Sequence, residues 1–130
     1  MQYTEAFEAL GYTLPSPRQD WSAVNENGVC LSLWRTELAT LDRVPWFDTK
    51  RHGRPIELWG FKPGNKLRIA HIQTAIADFN GFVDVVLVSG APGGSYEDAS
   101  PWISSQRKAR WRILDHDPQT GHFETKVIPD

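Results

Sequence analysis

The chain has 130 residues, 40% of them hydrophobic and 23% charged, and a formal net charge of −2. That is the length and composition of one ordinary globular domain, and no apolar run approaches the roughly 20 residues that a membrane-spanning helix needs. The single cysteine, Cys30, makes an internal disulfide or a paired-cysteine zinc site impossible, and the N-terminus lacks the basic start and long apolar stretch of a signal peptide, so a cytoplasmic setting is expected.

Tyr3, Ala6, Phe7 and Leu10 recur at the spacing of a short amphipathic helix, which Gly11 can stop. Two prolines then break regular structure in "TLPSPRQD", and a further strand is allowed near Trp21. The turn "NENG" precedes "VCLSLW", where alternation predicts a strand holding a buried Cys30. Residues 40–55 carry two prolines, a glycine and mixed charge and read as a long loop, and "IELWGF" at 56–61 reads as a short strand.

The spacing of Ile69, Ile72, Ile76 and Phe79 predicts the major helix over about 65–79, with Asn65 as its N-cap and Asn80-Gly81 as its stop. "FVDVVLV" at 82–88 is almost continuously apolar and β-branched, as expected of a central strand covered on both faces. "SGAPGGSYEDASP" reads as a flexible loop. The chain closes with two alternating runs around "DHDPQTGH", a β-hairpin signal. Without repeats or a long linker, residues 1–130 form a single domain. The expected class is α+β: a mixed, mostly antiparallel, curled sheet of about five strands, with one major helix packed on it and a C-terminal hairpin.

The small net charge hides a segregation. Residues 43–68 hold seven cations against Asp48 and Glu57, and residues 101–112 hold four cations against no acid. In a strand, Lys108, Arg110 and Arg112 leave one face at intervals of roughly 6.5–7 Å, and a guanidinium fork suits phosphate oxygens. A solvated row, partly neutralised by a cross-strand acid such as Glu124, accounts for the same pattern. In the first cluster, Trp46 and Phe47 precede Lys50, Arg51, His52 and Arg54. Rings among cations suit single-stranded or flipped-base recognition, where bases stack and cations follow the backbone; they equally suit a core plug with solvated neighbours.

Signals for catalysis are weaker. The glycine-rich segment after residue 88 lacks the Lys-Ser/Thr pair of a phosphate loop. Asp84 sits in an apolar strand, where a paired structural carboxylate is the simpler explanation. Asp115, His116, Asp117 and His122 crowd a turn that Asp117-Pro118 explains by itself.

The favoured reading is a small, tryptophan-rich, non-enzymatic nucleic-acid-binding module that needs no cofactor or metal. It engages DNA or RNA, single-stranded or locally opened, through a basic patch: Arg107, Lys108, Arg110 and Arg112 hold phosphates, the loop with Trp46, Lys50, Arg51 and Arg54 touches bases, and Lys66 and Arg68 extend the track. No membrane partner is expected. Two alternatives stand beside it: a module that binds an acidic protein through Trp and Arg, and a metal-dependent nuclease or hydrolase using Asp84, His71 or the Asp115–His122 turn.

Overall fold

The computed structural model describes residues 1–130. Helix α1 (Tyr3–Ala9) leads through an irregular segment to the hairpin β1 (Ser22–Asn25) and β2 (Gly28–Trp34). A second hairpin follows, β3 (Ala39–Leu41) and β4 (Val44–Asp48), and then α2 (Pro63–Asp78) and β5 (Phe82–Gly90). The chain ends with β6 (Tyr96–Pro101), the short α3 (Ser104–Arg107), β7 (Ala109–His116) and β8 (Phe123–Pro129).

The class is α+β, with a mixed, open sheet of eight strands ordered β1-β2-β5-β7-β8-β4-β3. β5 organises it. β2 runs parallel to β5 along one edge. On the other edge β7 pairs with Phe82 and Val83 while β6 pairs with Val86 to Gly90, so the sheet forks. Val85 to Val88 are all buried, which is why this strand reads as a continuous apolar run.

Two cores form on opposite faces. Val83, Val85 and Leu87 join Leu31, Trp111, Phe123 and the α2 residues Ile72 and Ala75 on one face. Val86 and Val88 join Cys30, Ala99 and the α1 residues Ala6 and Phe7 on the other. Each fully buried Val, Leu, Ile or Phe side chain among them contributes about 1.5–3 kcal/mol. Helix α1 contacts β5 and β6, whereas the outer side of β7 and β8 carries exposed Arg110 and Arg112 beside half-buried Lys126.

The sequence expectation of about five strands and one major helix undercounts the elements. The supposed loop at 40–55 contains the β3–β4 hairpin. Its two-residue turn is Asp42-Arg43, both at positive φ (53° and 69°), the geometry a tight hairpin demands, and its signal is muted because Arg43 is not a typical residue there. The expected strand at 56–61 is a 3-10 turn over Ile56–Leu58, held by Leu58 N donating to Pro55 O at 3.0 Å and Trp59 N donating to Ile56 O at 3.1 Å. The supposed flexible loop after residue 88 supplies β6, which pairs only with β5; its first three residues are exposed and include Glu97 and Asp98, charges of the kind that protect an unpaired edge.

Helix α2 starts two residues before the expected cap, with Pro63 in its first turn. Asn65 is buried instead, its amide donating to Gly60 O and Thr120 O at 3.0 Å each.

Candidate nucleic-acid interface

Strand register decides which cations share a face. Arg112 stands opposite Phe82 on β5 and Lys126 on β8, and Lys126 stands opposite Trp46 on β4. Directly opposed residues project to the same side of a sheet. Phe82, Arg112, Lys126 and Trp46 therefore form one row across four strands, with Arg110 two residues from Arg112. Their alternates Trp111, Thr125 and Phe47 are buried on the inner face.

The guanidinium groups of Arg110 and Arg112 lie 4.1 and 5.1 Å from the Phe82 ring centroid. Neither makes an ion pair. Arg112 donates its Nε to Asn80 O at 2.9 Å, which fixes the fork and leaves its other edge outward. Glu124, the expected neutraliser, instead accepts from the Trp46 indole at 2.7 Å. Lys126 is paired with Asp42 at 2.9 Å. At the far end, Arg51 sits over Trp46 at 5.8 Å and reaches Asp48 at 3.6 Å, and His52 meets the Trp46 ring edge-on at 4.6 Å.

The two basic segments thus meet on one face through Arg110, Arg112, Trp46 and Arg51. Lys50 is exposed on the same loop, and Arg107 and Lys108 are exposed just before β7, with Arg107 over Trp102 at 4.6 Å. Lys108 lies at positive φ at the end of α3, so it does not continue the strand row. Lys66 is exposed on α2.

Arg54 and Arg68 lie elsewhere. Both line a cavity of about 740 Å³ away from that row, bordered also by the start of α1, residues 17–21, β2, the end of β4 and the Gly93–Tyr96 segment. Arg68 is only 9% exposed. Its guanidinium is caged by Trp21 at 4.8 Å, Phe123 at 4.9 Å and Trp59 at 5.4 Å. It has no carboxylate in ion-pair reach, and its Nε is sealed without a partner. Burial pulls its pKa down to about 10, so it remains a cation at neutral pH. Burial pushes the Glu37 carboxyl on the same wall upward, against the opposing pull of Arg54 and Arg68.

Local sequence explains the cage. A side chain at Gly64 would strike the Trp21 ring, so glycine lets that indole lie against α2 one turn before Arg68. Trp59 is fixed by its indole nitrogen donating to Arg54 O at 2.9 Å.

Among the remaining polar candidates, Asp84, His71 and His122 have structural partners, whereas His116 Nε2 is buried without one. Asp84 accepts from the Tyr12 hydroxyl at 2.6 Å. His71 Nδ1 meets Ser22 Oγ at 2.7 Å, and His122 Nδ1 meets Thr49 Oγ1 at 2.8 Å. No three His, Cys, Asp or Glu side chains converge as a metal would need.

Sequence reasoning missed Lys126 and Phe82 on the outer face, and Trp21, Trp59 and Glu37 in the cavity. Lys126 was open to discovery, because "FETKVI" alternates and pairs with β7. The cavity residues come from well-separated segments between Gln2 and Tyr96, and no local pattern joins them. Comparison with protein-family models, with curated proteins and with solved structures returns no match.

Proposed function

We propose that this protein is a nucleic-acid-binding module whose contact surface is the outer face of β7, β8 and β4. Arg110 and Arg112 hold phosphates, while Trp46 offers a ring for a base. The observation that carries this reading is the row Phe82–Arg112–Lys126–Trp46, flanked by Arg110, in which the Arg110 and Arg112 guanidinium groups make no ion pair and lie beside the half-buried rings of Phe82 and Trp46. Strands in a sheet are about 4.8 Å apart, so Arg112 and Trp46, two strands apart, are separated by roughly 10 Å. That separation lets one side chain hold a phosphate while the other stacks on a nearby base of a single strand. The surface is local: the chain as a whole is slightly acidic, but screening confines each charge to about 8 Å in physiological salt.

Fluorescence polarisation with labelled single-stranded DNA and RNA at about 50 mM salt tests the reading. Binding that weakens as salt rises is expected. Absence of affinity for either polymer at that salt overturns it.

A further inference from the structure

The outer face makes no use of the cavity. A buried guanidinium without a carboxylate is a poor structural device, because it gives up hydration and gains no ion pair. Arg68 occupies that position on the wall of a 740 Å³ space. Its three neighbouring rings hold the group flat but accept no hydrogen bond in its plane.

The rest of the lining narrows the ligand. Arg18, Arg54, Lys62 and Arg68 stand against Asp20 and Glu37, an excess of cations in a chain that is net acidic. Asp20 is partly committed, accepting from Ser16 N at 2.9 Å. The exposed Arg18 and the half-buried Arg54 and Lys62 grade the positive charge outward from Arg68. Trp21, Trp34 and Trp59 supply flat apolar walls. Glu37 supplies an acceptor facing the same space as the Arg68 donors. A planar ring bearing both acceptors and donors on its edge, with an anionic group attached, satisfies each of these features. An Arg fork reading paired acceptors and a carboxylate reading an amino group are the standard contacts to base edges.

The cavity also adjoins the outer face. Arg51 and His52 touch Trp46 outside, and the next two residues, Gly53 and Arg54, line the cavity. Arg54 packs against Gly93, whose lack of a side chain leaves room for the guanidinium.

We propose that this cavity binds a single nucleobase with its phosphate, the ring held between tryptophans, its edge read by Arg68 and Glu37, and the phosphate met by Arg18, Arg54 or Lys62. The base arrives either as a free nucleotide or turned out of a strand held on the outer face. The second source rests on the function proposed above; the ligand chemistry rests on the cavity alone.

Tryptophan fluorescence of the full chain, titrated with AMP, CMP, GMP and UMP and separately with a mixed-sequence single-stranded oligonucleotide, tests the proposal. At least one monophosphate is expected to give a saturable change. Arg68→Met is expected to weaken it at least about tenfold without lowering the thermal midpoint, since an apolar side chain of similar length removes an unpaired buried charge. Glu37→Gln, at a half-buried site, is expected to weaken it too and serves if Arg68→Met does not fold. The double variant Arg110→Glu, Arg112→Glu is expected to keep monophosphate affinity. Competition between strand and monophosphate identifies a turned-out base; a monophosphate signal that the strand leaves untouched identifies the free nucleotide. Failure of all four monophosphates, or equal binding by wild type and the cavity variants, overturns the proposal even where the strand binds. Monophosphate binding without strand binding sustains it and removes the outer-face function instead.

Discussion

The Trp21 indole lies against the Cα of Gly64, so close that a Cβ there would stand 2.5 Å from the ring and 2.6 Å from Gln19 O. This contact sets the wall that cages Arg68. Alanine normally favours a helix over glycine by about 1 kcal/mol, but the overlap with a ring and a fixed carbonyl costs about 1–3 kcal/mol. Gly64→Ala is therefore expected to destabilise the fold on balance and to shift Trp21 emission. A urea midpoint equal to or above that of the wild type contradicts the close packing.

On the outer face, Arg110 and Arg112 each neutralise about one phosphate in the proposed complex. Replacing both with Glu is expected to weaken binding to any sequence and to flatten the slope of log K against log salt by about 1.4 for a single strand. Trp46→Ala acts through stacking and is expected to cost about 1–3 kcal/mol for single strands, with a smaller effect on duplexes. Polarisation titrations across a salt series separate the two. An unchanged slope in the double variant removes β7 from the interface.

The framework of the molecule was legible where one rule dominated. Continuous burial marked β5, alternation with an Asp-Pro turn marked the β7–β8 hairpin, and α2 was placed to within two residues at its start. Helix α2 also shows where such reading ends. The isoleucine stripe pointed to Ile69, Ile72, Ile76 and Phe79 as the inner face, yet Ile76 is 49% exposed and the buried residues are Gly64, Asn65, Arg68, Ile72 and Ala75. The first half of this face borders a cavity and a loop that need polar atoms, so hydrophobicity cannot reveal it. Sequence pattern therefore places Arg68 on a surface track, whereas the fold buries it. The β3–β4 hairpin was hidden by Pro45, which an edge hairpin of five and three residues tolerates. The outer row was half visible: β7 showed its cations, but the register that sets them beside Trp46 is a tertiary fact.

Tyr12 explains the acid in the central strand. Its hydroxyl, on a side chain 3% exposed, donates to Asp84, and burial together with that carboxylate raises the phenol far above its ordinary pKa. Tyr12→Phe removes the donor and leaves the carboxylate to recover its hydration, so a loss of about 1–3 kcal/mol in unfolding free energy is expected. Nucleic-acid affinity is expected to stay at the wild-type level, because Asp84 is held by Tyr12 and lies on β5, outside the proposed β7–β8–β4 contact surface. An effect on binding with no effect on stability assigns Asp84 to the site instead.

The histidines give the fold a pH dependence with a definite sign. His71, His116 and His122 all have pKa values lowered from 6.5, burial being the leading cause in each. A depressed folded-state pKa means that the unfolded chain takes up protons first as pH falls. Stability is thus full above about pH 6.5 and declines below it, toward the lowered folded values. Glu37 acts in the opposite sense, since its raised pKa favours the folded protonated form on acidification. Asp98 and Asp117, lowered from 3.8, lose their contribution only in stronger acid. Three histidines against one glutamate set the direction, and the urea midpoint is expected to fall between about pH 7.5 and 5.5. His71→Gln combined with His122→Gln is expected to flatten that decline, because glutamine keeps a partner for Ser22 and Thr49 without titrating. A midpoint that holds or rises on acidification in the wild type shows that these rings are not the groups that control stability there.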